Sequence, residues 1–550
     1  MIYPSLSTLI AVLVVFGILF ALVRRLWTAG ALLFYIMGFV VLLSVIKQAY
    51  LGGAISAADV VFFMLEPLEN FYIFINYPLL GLALLCVCVG FGICLAIGLR
   101  FEKPLQSMLN KSHGQHIRIL LAVASLILGF GAPFMSSEQA RANAIENEMY
   151  DAFAIMNGMG YVSGVVDRLN FFFDNRVIKA SLPAELLQTR FTVEDPAMAK
   201  QDTGIRPDIF LVLEESTFNP TLIRDCAESV CDQAMLHPLA AAQRTQQGPL
   251  LAHSTGGGTW LSEFALLTGF DWRVFGRGGA YAPVSLAPRM QNTLPAKLAA
   301  LGYRTIAVYP TQGNFLNAKS AYGYYGFEEF YAAQDLDLPR DWQSTTDQVL
   351  FDKALALIER SVDTRPVFIL ALTVRNHGPH GDGRLPVPPA FEEISQQKGA
   401  PLADYLARMR TSSDDFIRLA EYWLQSPRPR IIGWFGDHQP EVSWQFTQHP
   451  ELLNRDRIAS NVSNQQIQYL TEYQLSANFG DYNESVSTAA LDISYLGAQL
   501  MGFAGLPLDA GLRAAREVAL SCQGQLLECS DHALINDYLS FRVYQLQEVR

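Results

Sequence analysis

The sequence predicts a chain in two parts: an N-terminal bundle of transmembrane α-helices, followed by an α/β domain with a largely parallel central sheet. Three observations predict it. Long apolar runs without charge are concentrated before residue 135 of the 550. Beyond Pro207, short apolar strands alternate with helical patterns, which implies a sheet covered on both faces. Several of those strands run directly into Glu, Asp or His, where the loops of open α/β sheets carry ligands.

Leu6 to Val23, Ala29 to Ile46 and Phe74 to Leu99 are each about long enough to cross a bilayer as a helix. Ile119 to Phe134 is shorter but of the same character, which makes four spans. The first run is followed by Arg24 and Arg25 rather than a small-residue cleavage pattern, so it reads as an anchor and not a removed signal peptide. Arg24 and Arg25 separate the first two spans, and Arg100, Lys103, Lys111 and Arg118 lie between the last two. Basic short loops stay in the cytoplasm, so both face inward and everything after Phe134 lies outside. Ala58 to Leu65, ahead of Pro67, reads as an interfacial or re-entrant helix; a fifth span is the competing reading.

From Ser136 to Arg206 the chain turns polar, with Met149, Phe153, Met156 and Phe171 to Phe173 among charges, the pattern of amphipathic helices. Such helices rest either on the bilayer or on the domain that follows. The expected organisation is a membrane region over 1–135, a helical linker over 136–206 and an exported domain over 207–550. Cysteine usage agrees with export. Cys86, Cys88 and Cys94 fall within the third span and read as packing residues, whereas Cys226 with Cys231 and Cys522 with Cys529 form two close pairs. In an oxidising compartment such pairs read as disulfides; a structural metal site made from all four is disfavoured by the spacing. The net charge of −12 gives no support for nucleic-acid binding.

In the exported domain, strands are expected at Asp208 to Leu213, Arg304 to Tyr309, Val367 to Thr373 and Arg430 to Phe435. Helices are expected at Leu294 to Leu301, Val349 to Arg360 and Tyr405 to Gln425. The first strand leads into Glu214-Glu215-Ser216-Thr217, the third into Asn376-His377-Gly378-Pro379-His380 and the fourth into Gly436-Asp437-His438. Alone, an acidic pair is often a helix cap and a loop histidine is usually only exposed. Recurrence at successive strand ends points instead to one ligand-bearing edge, with an oxygen and nitrogen donor set that suits Zn²⁺ or Mn²⁺. Gly256-Gly257-Gly258-Thr259 offers a nucleophile: the glycines let backbone approach an anion, and the Thr259 hydroxyl would sit near the positive end of the helix Leu261 to Leu267. An ordinary helix cap is the plain alternative for Thr259.

Together these residues resemble the alkaline phosphatase and sulfatase superfamily, and within it the membrane-anchored lipoteichoic acid synthases and the phosphoethanolamine or phosphoglycerol transferases. The resemblance runs from about Pro207 to Leu508 and includes the order of membrane region then domain. It implies Glu215, Thr259, Asp437 and His438 as ligands of a divalent metal, Thr259 also as nucleophile, and His377 with the weaker candidate His380 as contacts to substrate phosphate. Glu214 is the less favoured carboxylate, because the family pattern places the ligand directly before Ser or Thr. The stretch Gly313 to Ala318 resembles the one that holds glycerol phosphate in lipoteichoic acid synthases, but Leu316 and Ala318 stand where the family has Trp and Arg, so a glycerol phosphate donor would need help from Lys319 or Arg273. Asp347, Glu263 and Asp382 are the carboxylates open to a second metal, and nothing in the sequence selects among them.

The activity implied is transfer of a phospho-headgroup from a membrane phospholipid to an envelope glycan or lipid through phospho-threonine. A phosphodiesterase or phosphatase using the same residues is the alternative. A sulfatase is disfavoured because no cysteine of the exported domain lies in the context its modified nucleophile requires. The implied location is the bacterial inner membrane, multi-pass, with the catalytic domain facing the periplasm.

Overall fold

The computed structural model describes residues 6–51, 78–103, 191, 204–226, 228–231, 239–481, 483–487 and 489–550. The chain divides into two compact units, Met1–Asp174 and Asn175–Arg550. In the first, α1 (Leu6–Val23), α2 (Leu26–Leu51) and α3 (Pro78–Phe101) coincide with the first three apolar runs. The segment Gly81–Phe101, with a mean hydropathy of 2.7, is long and apolar enough to cross a membrane. The start of α2 is satisfied from the end of α3: the Glu102 carboxylate accepts from the Trp27 and Thr28 N–H groups at 2.9 and 2.7 Å. Among the described residues Cys86 and Cys88 are exposed on α3 and Cys94 is half-buried. The expected span Ile119 to Phe134, the segment Ala58 to Leu65 and nearly all of the 136–206 linker lie outside the described residues.

The second unit is built on a nine-stranded sheet. In chain order its strands are β1 (Asp208–Glu214), β2 (Arg244–Leu251), β3 (Arg304–Tyr309), β4 (Glu329–Ala332), β5 (Val367–Leu372), β6 (Arg430–Gly436), β7 (Leu470–Ala477), β8 (Asn483–Val486) and β9 (Leu491–Asp492). They lie side by side as β4-β3-β5-β1-β6-β7-β2-β8, with β9 also on β2. Every pairing is parallel except the two made by β7, so β7 runs against the rest.

Alternation along β1 explains why it is central. Ile209, Leu211 and Leu213 enter one apolar layer with Phe368, Leu370, Ile431 and Phe435, while Phe210 and Val212 enter the opposite layer with Ile369, Ile432 and Trp434. Successive side chains of a strand point to opposite faces, so an unbroken apolar strand must be covered twice. One layer is closed by α4 (Thr259–Thr268) and α5 (Leu294–Ala300), together with α6 (Ala318–Tyr324). The other is closed by α7 (Asp347–Glu359) and α8 (Ala400–Leu424).

The four expected strands are observed within one residue at each end. Strands β2 and β7 did not register because their residues are polar. Thr471, Gln474 and Ser476 of β7 are buried, yet Thr471 Oγ1 donates to the Gly436 carbonyl oxygen at 3.0 Å and Gln474 accepts from the Trp434 indole at 3.4 Å. Both close cysteine pairs are disulfides, Cys226–Cys231 and Cys522–Cys529.

Candidate active site

β1 has β5 on one side and β6 on the other, and Glu214 pairs in register with Gly436. The residues that follow therefore emerge together at the carboxyl ends of adjacent parallel strands, the usual place for ligands in such sheets. Ligand atoms of Glu215, Asp437 and His438, all buried, lie within 4.8 Å of one another. His438 Nε2 is 3.1 Å from Asp437 Oδ2 and 3.5 Å from Glu215 Oε1.

Neighbouring groups aim each of the three. Asp437 Oδ1 accepts from the Ser216 and His438 N–H groups, both at 2.8 Å, which leaves Oδ2 buried without a partner. The Gln439 carbonyl oxygen lies 3.0 Å from His438 Nδ1 and can only accept, so Nδ1 carries the proton and Nε2 turns its lone pair inward. Ser216 Oγ donates to Glu215 Oε1 at 2.7 Å, and the Glu215 N–H donates to Thr373 Oγ1 at 3.0 Å. Burial, and next the Asp437 charge, push the Glu215 carboxyl up to about 8, with His438 opposing. Two carboxylates, a free imidazole lone pair and an orphaned carboxylate oxygen make a donor set that fits a divalent cation.

Thr259 faces the same centre. Its hydroxyl is 3.3 Å from Glu215 Oε2 and 3.4 Å from His438 Nε2. It does not cap α4: the capping position belongs to Gly258, at φ 85°, and no side chain caps that end. Gly258 supplies a left-handed turn that side chains disfavour, and Thr259 thus occupies the first helical position, beside unsatisfied N–H groups and the positive end of the helix dipole. Ser262, one turn on, donates to the Asp437 carbonyl oxygen at 2.5 Å, and the Gly256 N–H donates to the Gln439 carbonyl oxygen at 2.8 Å. The nucleophile loop and the ligand loop are thereby tied together.

Gly436 shows why glycine precedes Asp437. A Cβ there would lie 2.6 Å from Thr217 Cβ and 2.9 Å from Thr471 Cβ. Gly436→Ala is expected to lower stability by about 1–3 kcal/mol and to weaken divalent-cation binding, because the strand must shift to admit the methyl group. A melting curve with and without added metal checks both; an unchanged midpoint would show that the strand has room.

His377 and His380 lie on the loop after β5 and make no direct contact with the Glu215 group among the described residues. Gly378 O lies 2.7 Å from His377 Nδ1, and the imidazole stands 4.8 Å from the Trp342 ring, with Asp437 among the charges acting on it. His380 Nε2 donates to the Asn376 carbonyl oxygen at 2.9 Å and its ring meets Tyr405 edge-on, an inward engagement that suits a loop-forming role. The loop is held by residues that carry no local signal. Arg408 pairs with Asp404 at 2.5 Å, and Arg408 and Gln343 each donate to the carbonyl oxygens of both His377 and Pro379. Asp404 and Arg408 are four apart on α8, a spacing that puts them on one face.

Burial, with the Arg408 charge next, holds the His380 imidazole down to about 4, so it is neutral in the fold at pH 7. A histidine with a depressed folded pKa contributes stability that is complete above about pH 6.5 and lost as the pH falls through about 4, up to about 3 kcal/mol. Between pH 6.5 and 4 the parent is expected to lose melting temperature faster than His380→Gln. Parallel slopes would remove this account of His380.

Two other buried groups make no direct bond to the Glu215 centre among the described residues, although the Asp437 and Glu215 charges act on Glu263. His253 sits 2.9 Å from Asp492 and 3.5 Å from Asp271, and Arg273 donates to both Asp271 oxygens. Glu263, one turn beyond Thr259 on α4, is pushed up to about 8 by burial and lies near Tyr322.

Residues 207–474 match the Sulfatase family model. The match covers just under half of the chain, and the segment is a sulfatase-like α/β domain. An uncharacterized protein of Haemophilus influenzae is 29% identical over 364 residues, covering 62% of this chain and 61% of the relative. A putative cyclic beta-1,2-glucan modification protein of Rhizobium meliloti is 25% identical over 251 residues, covering 43% of this chain and 36% of that one. The chain thus spans about three fifths or less of the length of these relatives. Among solved structures, the Streptococcus pyogenes phosphoglycerol transferase GacH, in complex with sn-glycerol-1-phosphate, aligns with a TM-score of 0.49 at 18% identity, covering 67% of this chain and 93% of that one. Glu215, Thr259, Asp437 and His438 all fall within the sulfatase segment.

Proposed function

We propose that the chain is a membrane-anchored phosphotransferase that moves a phospho-headgroup, phosphoethanolamine or phosphoglycerol, from a phospholipid to an envelope glycan or lipid through phospho-Thr259. The observation that carries this reading is the Thr259 hydroxyl, uncommitted to its own helix and held within 3.4 Å of both Glu215 and His438. Glu215, Thr259, Asp437 and His438 would hold one divalent cation, Zn²⁺ or Mn²⁺, which when bound stabilises negative charge on phosphoryl oxygen and favours the ionised threonine. The Thr259 oxygen would bond to phosphorus as the bond to the diacylglycerol oxygen breaks; the hydroxyl proton leaves on the side of Glu215 Oε2, and the diacylglycerol oxygen takes up one proton as it departs as an alcohol. Transfer to an acceptor hydroxyl then frees Thr259. His377 would contact the phosphate from the β5 side, with His380 shaping that loop.

The apolar helices support a multi-pass anchor in a bacterial inner membrane with the domain in the periplasm, and the two disulfides support an oxidising compartment. Anchoring beside a lipid donor raises its effective concentration. The glucan named for the Rhizobium meliloti relative supports a glycan acceptor. Mass spectrometry of the chain after exposure to phospholipid vesicles tests the proposal. A mass added at Thr259 is expected, and its size separates phosphoethanolamine from phosphoglycerol. Unmodified Thr259 with phosphate ester passed only to water would establish a hydrolase instead.

A further inference from the structure

The loop that carries Thr259 has little stiffness of its own, because Gly256, Gly257 and Gly258 precede the nucleophile and glycine leaves the backbone free. Its position is set from outside. His253 lies between the end of β2 at Leu251 and that loop; it is buried, and its Nε2 donates to Asp492 Oδ1 at 2.9 Å with Asp271 Oδ2 at 3.5 Å. Asp492 ends β9, pairs in register with Leu251, and donates its own N–H to the Gly524 carbonyl oxygen at 2.8 Å. Asp271 lies just beyond the other end of α4, where its Oδ1 accepts from the Arg273 N–H at 2.8 Å. The imidazole therefore ties the entrance of α4 to its exit and to the sheet. The His253 carbonyl oxygen also accepts from the Trp272 indole at 3.1 Å, which fastens the same residue through its backbone.

Charge governs how that tie works. Asp271 and Asp492 are both buried, and among the described residues the guanidinium bonded to this pair is that of Arg273, which is partly exposed. A neutral His253 would leave one buried carboxylate charge uncompensated, a costly state that an imidazolium removes. Burial opposes charge on His253, but Asp271 and Asp492 outweigh it and hold the imidazole above its ordinary value, with Arg273 working against them. Burial likewise pushes the Asp271 carboxyl up, yet the His253 and Arg273 charges hold it below its ordinary value. Tyr469, just before β7, faces Arg273 and Asp271 and is neutral, its hydroxyl pushed up by burial. His253 Nδ1 is buried and makes no bond, so it favours neither protonation state and the carboxylates set the charge.

We propose that His253 is held as an imidazolium between Asp271 and Asp492 and is a positioning residue for Thr259, fixing the loop that presents the hydroxyl to Glu215 and His438. Without the imidazolium the loop keeps the bond from the Gly256 N–H to Gln439 and that from the Trp444 indole to Thr255 Oγ1 at 2.9 Å. Those two bonds hold the loop against the ligand strand, whereas the start of α4 loses its tie to β9 and to Asp271. A hydroxyl displaced by a fraction of an ångström from its line to phosphorus reacts far more slowly. This inference rests on Thr259 as the nucleophile of the transfer reading; the charge on His253 holds or fails apart from it.

Magnetic resonance of the full chain in detergent, with labelled imidazole nitrogens, reads the charge on His253 without any reaction. At about pH 6.5, where a free histidine is half protonated, His253 is expected to be almost wholly protonated. A ring half protonated or less there overturns the proposal. Diacylglycerol release from phospholipid vesicles reads the positioning. His253→Gln, which can still donate to Asp492 but carries no charge, is expected to lower kcat about tenfold or more, with KM within about twofold and bound divalent cation unchanged. Adding Asp492→Asn removes the uncompensated charge and is expected to bring kcat back to within about threefold of the parent, a recovery that a role in packing alone does not give. An unchanged kcat in His253→Gln, or a double variant no faster than the single one, overturns the proposal. Should His253→Gln fail to fold, Asp492→Asn alone is expected to move the His253 titration down by about one pH unit or more, and an unmoved titration is the overturning result. If the parent passes no headgroup at all, the transfer reading falls by itself. Amide exchange over residues 254–260 then carries the test: it is expected to be about tenfold faster in His253→Gln, and equal exchange overturns the positioning role.

Discussion

Alanine at Thr259 is expected to reduce diacylglycerol release from phospholipid vesicles by about 10⁴-fold or more, the scale on which loss of a covalent nucleophile acts. The fold should survive. Gly258, not Thr259, holds the capping position of α4, and the Thr259 side chain makes no bond to its own helix, so the change removes only contacts to Glu215 and His438. Melting temperature in metal-free buffer is therefore expected to stay within about 2 °C of the parent. Thr259→Ser, which keeps the oxygen but loses the methyl group that restricts its rotation, should retain measurable activity. Full activity in Thr259→Ala would move the reaction to another nucleophile. Loss of activity together with unfolding would refute the structural independence argued for this hydroxyl.

The parts of this architecture that were legible in the sequence are those whose pattern is local. β1, β3, β5 and β6 are short apolar runs that end in polar clusters, and each is observed where the alternation placed it. Glu215 and Asp437-His438 were visible because each follows such a run. What joins them was not visible. Gln439 orients His438 through its carbonyl oxygen, and its amide reaches the Ile467 and Leu470 carbonyl oxygens at 2.7 Å, contacts across nearly thirty residues that no periodicity announces. β7 hid for a related reason. Its buried Thr471 and Gln474 satisfy their hydrogen bonds on β6, so burial there needs no apolar letters. Only the fold shows the Ser262 hydroxyl on the Asp437 backbone.

Removing a ligand charge is expected to separate stability from function. Asp437→Asn keeps an oxygen to accept from the Ser216 and His438 N–H groups, but replaces the orphaned Oδ2 by an amide that donates toward His438 Nε2, 3.1 Å away, or toward Glu215. Without divalent cation the parent buries two carboxyl groups close together, which holds the Glu215 carboxyl up to about 8, and leaves one Asp437 oxygen unpaired, an arrangement whose lost hydrogen bond the variant relieves. The variant should then melt about 1–2 °C above the parent in chelator, an increment of about 1 kcal/mol in a domain of this size. Added Mn²⁺ or Zn²⁺ should reverse the order. At a hundred times its dissociation constant a ligand that binds only the folded state contributes about 2.7 kcal/mol, and the parent alone should gain it. Headgroup transfer should be lost in the variant under both conditions. The crossing of the two melting series identifies Asp437 as a residue kept for binding at the expense of the metal-free fold. Parallel shifts, with both proteins stabilised equally by metal, would place the cation elsewhere than on Asp437.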